Sequence, residues 1–494
     1  MTQQQLFDEW SEEVPRQNGI PPLDRFQGAL LLSTVGDALG WPTEFLKPTN
    51  GRKPPFELPL QDFVTWKKLV GGKWWGYEET IEPGAYSDDS QLALAVARCI
   101  TDDGNFDSEM FAYQELPLWL QYERGGGKSV KTAARKLIGK NASWLRNFYK
   151  QGELDYRNAG ANGAAMRNLP IALASVNNTE QIIKDSFLNS IITHGHPRAI
   201  LGAILFALTV NYALTTSNGI TFASLFEYLR TEMSQIGKIV TQDDRVTTWI
   251  QGWDNSDSFE KASFRTSFNE VHQEALNYLK GIPQSINQDA RAYYTFVGAL
   301  DPATKGSGLA TVCVAIYLFF KYLDRPEEAL TTAANTFGSD TDTIGVFLGA
   351  LSGAYHGTKA LPSHLSHKVQ DHDYLIKTAN RLYSIAARQK QTKGVKQTIE
   401  RRDAYFRILS WEIDLHEMFW DELGRGEIIF HPTLGRGTIE EKIEKPIKKR
   451  EDYVVKLISV RFDCGQSCIF HSRVQNNEKV SESLAQDITN ALGK

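Results

Sequence analysis

Three oxygen-bearing side chains fall within four residues in the last third of the chain. Asp340, Asp342 and Thr343 lie directly ahead of the apolar run 344–355, which predicts a buried helix. On a regular helix, positions i and i+2 point about 200° apart, so the two carboxylates would diverge. In a turn before the helix they can converge on one hard cation. The alternative is that one of these side chains simply caps the helix.

A second acidic cluster lies far upstream. The sequence Ser87-Asp88-Asp89-Ser90 leads directly into the Ala-rich run 91–97. Ser87 suits a helix N-cap, and acidic residues suit the positive end of a helix. One cap needs only one such residue, and uncompensated buried carboxylates repel each other and are costly to desolvate. A divalent cation would remove that cost.

A third acidic segment ends the first predicted helix. That helix starts near Asp24 and runs into the turn 36–45, which leaves Asp37 and Glu44 near a buried turn. The alternatives are that Asp37 bonds backbone at the helix end and that Glu44 is exposed. Together the three segments offer up to about six hard oxygen ligands and a nearby glutamate, a set that suits two Mg²⁺ ions sharing bridging ligands.

Two loops carry weaker signals. The small-residue loop 160–167 feeds a helix, and such loops expose backbone N–H groups that can cradle phosphates. His194 and His196 precede the apolar run 199–214, where they either bind a ligand or form a hydrogen-bonded turn. The segment 50–84 is rich in Gly, Pro and Trp and predicts a long functional loop.

The helices that position these segments are predicted to form one all-α domain over residues 24–385. Several runs are apolar all round, which is typical of central helices in large helical proteins. Gly345, Gly349, Gly353 and Gly357 recur every fourth residue along one helix face. Because helical glycine is costly, this stripe predicts a second helix packed very closely against it.

Composition indicates a soluble, cytoplasmic protein in a reducing compartment. Of 494 residues, 41% are hydrophobic and 23% charged, the net charge is −5, and the four cysteines are too few for a disulfide scaffold. The apolar runs 199–214 and 309–320 fall short of a comfortable membrane span. Residues 1–23 are expected to form a polar leader.

The pattern changes beyond residue 385. We expect a basic, helical linker at 386–421, a small all-β barrel at 422–475 built from short strands, and a tail or helix at 476–494. Basic residues near the predicted barrel loops favour contact with a protein or nucleic acid, although interleaved glutamates also fit a charge-balanced surface.

Five motifs in order resemble the ADP-ribosylglycohydrolases, which include the dinitrogenase-reductase-activating glycohydrolase and the ADP-ribosylarginine hydrolases. They are Gly36-Asp37-Ala38-Leu39-Gly40 with Glu44, Ser87-Asp88-Asp89-Ser90, Asn162 to Arg167, Thr193-His194 with His196, and Ser339 to Thr343 with Gly349 to Gly357. The segment 431–439 with 454–462 resembles the Tudor/SH3-like barrel appended to some helicases.

The resemblance implies an all-α fold with a binuclear Mg²⁺ centre, for which Mn²⁺ is a possible substitute, at the base of a cleft. It implies hydrolysis of the bond joining ADP-ribose to an acceptor on a modified macromolecule, with arginine favoured. The metal ligands would be Ser87, Asp88, Asp89, Asp340, Asp342 and Thr343. Asn162, Gly163, Met166 and His194 would bind the substrate, and Asp89 or Glu44 would be the catalytic base. The alternatives are an ADP-ribose-binding module without turnover and a hydrolase of a small ADP-ribosyl conjugate.

Overall fold

The computed structural model describes residues 19–46, 54–217, 219–256, 262–360, 363–388, 401–419 and 423–475. The chain divides into two compact units: residues 1–63 with 84–401, and residues 64–83 with 402–494. The second unit is therefore assembled from two separate stretches of chain. Most of the predicted leader and all of the predicted tail at 476–494 lie outside the described residues.

Helices dominate the first unit. In chain order, the helices of both units are α1 Leu23–Gly40, α2 Gly72–Trp75, α3 Asp88–Arg98, α4 Ser108–Met110, α5 Leu116–Trp119, α6 Lys128–Leu137, α7 Leu169–Ala174, α8 Thr179–Ile191, α9 Pro197–Thr215, α10 Phe222–Val240, α11 Asp244–Asn255, α12 Phe264–Ser285, α13 Ala290–Phe296, α14 Gly308–Lys321, α15 Pro326–Asn335, α16 Thr341–His356, α17 Ser363–Lys368, α18 His372–Ala386 and α19 Arg401–Phe419. Short 3₁₀ turns at Trp41–Thr43, Trp144–Arg146, Tyr156–Asn158, Asn162–Ala164 and Thr358–Ala360 and a π-helical segment at Phe111–Glu115 complete the helical elements. The predicted helical fold is confirmed.

Glycines bring α1 and α16 into backbone contact. A Cβ atom built on Gly345 would lie 2.3 Å from the carbonyl oxygen of Gly36, and one built on Gly353 would lie 2.1 Å from that of Gly28. No side chain fits between the two helices at these positions. The predicted close partner of the glycine stripe is therefore α1, which also carries Asp37, and this contact places the end of α1 beside the start of α16.

Two apolar helices form the centre of the first unit. All but one residue of α9 and most of α14 are buried. By length and composition α9 could cross a membrane, contrary to our expectation, and it is the single such helix in the described part of the chain. Since 94% of its apolar window is buried inside the protein, it has the pattern of a core helix.

A β-hairpin replaces part of the predicted long loop at 50–84. Strands β1 (Trp66–Val70) and β2 (Tyr77–Ile81) pair antiparallel, and the short helix α2 lies between them. Alternation of buried and exposed residues along β2 shows that one face of the hairpin is covered. In the first unit, β3 (Lys150–Gln151) and β4 (Leu154–Asp155) form another short antiparallel pair.

The C-terminal segment folds into a curled sheet. Four strands lie in sequence order, each antiparallel to the next: β5 Ile428–His431, β6 Gly435–Ile447, β7 Arg450–Phe462 and β8 Ser467–Gln475. Register shifts at Ile439/Glu441 and Pro446/Ile447 bend β6 against β7. The sheet is a half-barrel, so strand formation is confirmed, while the specific resemblance to a Tudor/SH3-like barrel stays a prediction.

The hairpin and the sheet share a small core. Tyr77 of β2 is buried together with Ile447, Val455 and Leu457 of the sheet. At the other part of the sheet, Trp411 of α19 is 1% exposed and packs against Phe470, with ring centroids 5.5 Å apart. These contacts explain why residues 64–83 group with the C-terminal segment.

Candidate active site

The turn after α1 and the start of α16 bring three carboxylates together. One carboxylate oxygen from each of Glu44, Asp340 and Asp342 lies within 4.8 Å of the others. Asp342 is buried, and Glu44 and Asp340 are partly buried. Asp340 occupies the N-cap position of α16, yet its side chain makes no capping hydrogen bond. Capping therefore does not explain this carboxylate.

The second acidic cluster lies at the start of α3. Ser87 is its N-cap, as the sequence predicted, and its Oγ accepts a hydrogen bond from the backbone N–H of Asp89 at 3.2 Å. Asp88 and Asp89 are 8% and 3% exposed. The carboxylate of Asp89 accepts a hydrogen bond from the Thr343 side chain and interacts electrostatically with Asp340. The tertiary structure thus joins the two acidic segments.

Asp37 holds the start of α3 in place. Its Oδ1 accepts from the backbone N–H of Ser87 at 3.0 Å, and its Oδ2 accepts from the N–H and the Oγ–H of Ser90 at 3.0 and 2.6 Å. The residue is fully buried. Because donors engage both of its oxygens, Asp37 orients the acidic segment and is not left open as a ligand. The sequence left open that Asp37 bonds backbone groups, and those groups belong to the start of α3.

Burial and mutual repulsion oppose ionisation of the clustered acids. Burial raises the pKa of Asp342 well above its usual range, and the nearby charges of Glu44, Asp340 and Asp89 add to this effect. The pKa of Asp89 is raised in the same way, first by burial and then by Asp88, Asp37 and Asp340. Burial also raises the pKa of Asp37, although its hydrogen bonds from serine oppose the shift. Several buried like charges form a site that a cation would stabilise.

The donor set fits a hard divalent cation. Oδ2 of Asp89 is buried and makes no hydrogen bond to any described residue. A buried, unsatisfied carboxylate oxygen is costly unless a cation or another donor meets it. Carboxylates with a nearby threonine hydroxyl are the oxygen ligands that Mg²⁺ and Mn²⁺ prefer.

The small-residue loop reaches the carboxylate cluster. Nδ2 of Asn162 donates to Oδ2 of Asp340 at 3.1 Å, and the backbone N–H of Asn162 donates to the carbonyl of Gly306 at 2.9 Å. A Cβ atom on Gly306 would lie 3.1 Å from Oδ2 of Asp340, so glycine permits a close approach there. Asn162, predicted to bind substrate, is therefore in contact with the acidic cluster.

A pocket of about 300 Å³ opens beside this contact. Its walls come from the loops 158–161 and 303–307, the starts of α6 and α9, and β4. Its lining residues are Ser129, Leu154, Asn158, Ala159, Gly160, Ala161, His196, Arg198, Ala303, Thr304, Gly306 and Ser307. Ala161 and Ser307 form an isolated antiparallel bridge that ties two of the loops together. Gly306 therefore borders both the pocket and Asp340.

Three of the predicted substrate-binding residues are buried beneath the surface of the loop. They are Gly163, Met166 and His194. Met166 is 3% and His194 1% exposed, so each has little surface for a ligand to contact. A Cβ atom on Gly163 would lie 2.8 Å from Cε1 of His194, which fixes the spacing between loop and imidazole. Their predicted role in substrate binding stays a prediction, and the structure shows them supporting the loop.

Arg167 connects the buried residues behind the loop through hydrogen bonds, a role that the sequence did not predict. Its guanidinium donates to the carbonyl of Gly163, to the side chain and carbonyl of Asn189 and to Oγ1 of Thr193, at 2.8 to 2.9 Å. Burial lowers its pKa to about 9. The sequence around Arg167 does not distinguish a buried arginine that supports the loop from an exposed arginine that binds a ligand.

The two histidines make local hydrogen bonds. Nδ1 of His194 and Oγ1 of Thr193 lie 2.7 Å apart, and Nδ1 of His196 accepts from the N–H of Arg198 at 3.1 Å. His196 thereby caps α9. Both histidines thus make the hydrogen bonds of a turn, and a ligand-binding role for them stays a prediction.

Comparison with known proteins agrees with these features. The ADP-ribosylglycohydrolase family model matches residues 19–392. The ADP-ribosyl-(dinitrogen reductase) glycohydrolase of Rhodospirillum rubrum is 31% identical over 175 residues, covering 35% of this chain and 52% of that protein. The ADP-ribosylhydrolase ARH3 of Gallus gallus is 25% identical over 393 residues, covering 75% of this chain and 95% of that protein.

Two further likenesses are more distant or shorter. An ADP-ribosylarginine hydrolase of Serratia proteamaculans is 25% identical over 204 residues, covering 40% of this chain and 49% of that protein. A solved ADP-ribosylglycohydrolase-related protein complex is 19% identical with a TM-score of 0.49, covering 74% of this chain and 98% of that chain.

Proposed function

Because this chain belongs to the ADP-ribosylglycohydrolase family, we propose that it is a Mg²⁺-dependent hydrolase of the glycosidic bond between ADP-ribose and an acceptor. The favoured acceptor is an arginine side chain of a modified protein. The observation that carries the proposal is the buried carboxylate cluster, which lies next to a pocket formed by the small-residue loop.

The two Mg²⁺ ions of this proposal, or Mn²⁺ in their place, would be held by the residues of both acidic segments. These are Ser87, Asp88, Asp89, Asp340, Asp342 and Thr343. When bound, such ions orient substrate hydroxyls and lower the pKa of water. The unsatisfied Oδ2 of Asp89 and the raised pKa of Asp342 support this assignment, since both indicate negative charge that the described protein groups leave uncompensated.

Glu44 is the base that we favour over Asp89. Asp89 is 3% exposed and lies among the other carboxylates, where it serves best as a ligand. Glu44 is only partly buried and lies at the edge of the cluster. In the proposed reaction Glu44 takes a proton from the attacking water. The water oxygen bonds to the anomeric carbon, the carbon–nitrogen bond breaks, and the leaving guanidine gains a proton.

The pocket beside Asp340 suits part of the ADP-ribose group. Its loops offer backbone groups at Gly160 and Gly306, hydroxyls at Ser129 and Ser307, and the guanidinium of Arg198. These are groups that bind phosphate and ribose oxygens. Arg198 is also paired with Glu274 at 2.9 Å, which keeps the guanidinium in one position.

The preference for arginine rests on the relatives. The Serratia proteamaculans protein is named for ADP-ribosylarginine, and the Rhodospirillum rubrum protein for ADP-ribosyl-dinitrogen reductase. Since both matches cover about half of those proteins, the acceptor is the part of the proposal that most needs a direct assay.

The test is release of free ADP-ribose by the full chain from a panel of acceptors. The panel contains ADP-ribosylated arginine protein, serine peptide, DNA and O-acetyl-ADP-ribose, each with Mg²⁺ and with a chelator. The full chain is required because residues 64–83 fold with the C-terminal segment, so truncation after residue 400 would strip the hairpin of its packing partners.

We expect Mg²⁺-dependent release from the arginine conjugate. The variant D340N should be inactive, and D373N, which changes a fully exposed aspartate, should be fully active. Release from O-acetyl-ADP-ribose alone would replace the macromolecular substrate with a small conjugate. Binding of ADP-ribose without release from any acceptor would refute the hydrolase and leave a binding module.

A further inference from the structure

The second unit carries a face of tryptophans and basic residues that the hydrolase site does not use. We define the Trp74 face as Trp74, Trp75, Lys449, Arg450 and Arg473. The two tryptophans belong to α2 within the hairpin, Lys449 to the β6–β7 turn, Arg450 to the start of β7 and Arg473 to β8. Residues from three distant parts of the chain therefore meet on one surface.

Cations lie over both indole rings. Nζ of Lys449 is 5.2 Å from the ring centroid of Trp74, and the guanidinium carbons of Arg450 and Arg473 are 4.7 and 5.5 Å from that of Trp75. Trp75 also packs edge-on against Tyr453 at 5.1 Å. Trp75 thus packs against the sheet, and its ring contacts two arginines at the surface.

Trp74 differs from Trp75 because it is 59% exposed. Its indole is largely open to solvent, and Lys449 over the ring is also exposed. An exposed indole among exposed cations offers both aromatic surface and positive charge to a ligand.

The basic residues of the face keep their charge available. Among the described residues, Lys449, Arg450 and Arg473 make no ion pair with a carboxylate. The nearby carboxylate of Glu78 is engaged by Lys448 at 2.8 Å and by Lys67 at 3.8 Å. The backbone N–H of Lys448 also donates to the carbonyl of Gly76, which holds the turn against the hairpin. The five residues of the Trp74 face thus include three cations and no carboxylate, although the protein as a whole has a net charge of −5.

We propose that the Trp74 face binds single-stranded nucleic acid. Cations track the phosphate backbone, and an exposed aromatic ring stacks on an unpaired base. A duplex hides its bases in the stack and would leave Trp74 without a partner. An acidic protein segment would satisfy the cations but has no need of the ring. This inference does not depend on hydrolase activity.

The experiment measures binding of the full chain to a fluorescent oligodeoxythymidylate of about 20 nucleotides, which exceeds a typical single-domain site. Fluorescence anisotropy is recorded against protein concentration at several salt concentrations. The probe is compared with a duplex of the same length and with a polyglutamate peptide. The variants are W74A and K449E.

The matched control is R425E, which reverses another exposed cation of the same unit. The N–H of Gly426, next to Arg425, donates to the carbonyl of Ile439 on β6. Eight residues separate Ile439 from the end of β6, roughly 27 Å at about 3.4 Å per residue. Arg425 therefore lies towards the start of β6, whereas Lys449 follows its end. Circular dichroism and melting curves establish that each variant is folded.

We expect W74A to weaken binding of the oligonucleotide about fivefold or more through lost stacking. We expect K449E to weaken binding and to lower the slope of log K against log salt by about 0.7, while R425E should change neither. Three results would overturn the proposal: no binding by the wild-type chain at low salt, binding unaffected by W74A, or preference for the duplex. Equal binding of polyglutamate with no effect of W74A would assign the face to an acidic protein and would likewise refute it.

Discussion

Asn162 and Asp340 are 178 residues apart in sequence and share a hydrogen bond of 3.1 Å between Nδ2 and Oδ2. The bond connects the small-residue loop to the acidic start of α16. It orients one carboxylate of the cluster and at the same time fixes the wall of the adjoining pocket, since the N–H of Asn162 is held by Gly306. The small-residue loop and the carboxylate cluster are thus positioned as one unit.

The first prediction concerns the buried charge of the cluster. In metal-free protein, D342N should raise the melting temperature, because it removes a buried negative charge that repels Glu44, Asp340 and Asp89. Addition of Mg²⁺ should stabilise the wild-type chain and leave D342N almost unchanged. Calorimetric melting with and without Mg²⁺ measures both effects.

The control for this pair of measurements is D373N, because the Asp373 side chain is fully exposed. It should melt like the wild type in both conditions. If D342N lowered the metal-free melting temperature, Asp342 would be a structural residue and the metal assignment would lose its support.

The second prediction concerns Asp37. D37N cannot accept from the donors on both sides, so it should leave a buried N–H of Ser87 or Ser90 unsatisfied and destabilise the protein by about 1–3 kcal/mol. It should also weaken Mg²⁺ binding by about 10- to 100-fold, as expected for a residue that orients ligands. Urea unfolding and metal titration by calorimetry measure the two effects.

The graded control is S90A, which removes only the hydroxyl hydrogen bond to Asp37. S90A should lower the free energy of unfolding by about 1 kcal/mol and should change the Mg²⁺ affinity only slightly. Equal losses of affinity in S90A and D37N would contradict a positioning role specific to the Asp37 carboxylate.

The third prediction tests the contact between α1 and α16. A Cβ atom on Gly349 would lie 1.9 Å from the carbonyl oxygen of Leu32, so G349A must force the helices apart. We expect destabilisation of more than about 2 kcal/mol. The same substitution at Gly237 of α10 meets nothing within 4 Å and should stabilise by roughly 0.5–1 kcal/mol. Urea unfolding should show a lower free energy of unfolding for G349A and a higher one for G237A. An unchanged free energy of unfolding in G349A would contradict the close packing of α1 against α16.

The fourth prediction concerns pH. Burial, with a smaller effect of the Arg167 charge, lowers the pKa of His194 to about 3, whereas an unfolded histidine titrates near about 6.5. A depressed folded-state pKa contributes stability above about pH 6.5 that is lost progressively as pH falls towards 3. Between pH 7 and 5.5, the wild type should lose about 1 kcal/mol more stability than H194Q.

Unfolding in urea at the two pH values measures this difference. H364Q, which alters an exposed histidine, is the control and should keep the pH dependence of the wild type. Identical pH dependence in the wild type and H194Q would show that His194 titrates normally in the folded protein.

Much of the first unit was predictable because its signals are local or periodic. The glycine stripe at Gly345, Gly349 and Gly353 predicts a close helical neighbour, and Ser87 caps α3 through a bond to a residue two positions away. The fourth glycine, Gly357, instead ends α16 with a φ of +76°. The hairpin at 66–81 was not predicted. Its core residue Tyr77 is buried by Ile447 and Val455, which lie hundreds of residues away and leave no trace in the local pattern.

The sequence by itself identified the acidic residues that lie together in the fold, since adjacent buried carboxylates at helix starts exceed what capping needs. Only the tertiary structure decided how they are used. Asp37 proved to hold the start of α3, Asn162 to contact Asp340, and Arg167 to support the loop from within. Asp37 and Asn162 act through hydrogen bonds to segments distant in sequence, and Arg167 also reaches Asn189 and Thr193. The packing of α1 against α16 and of the loops around them determines which donor meets which acceptor.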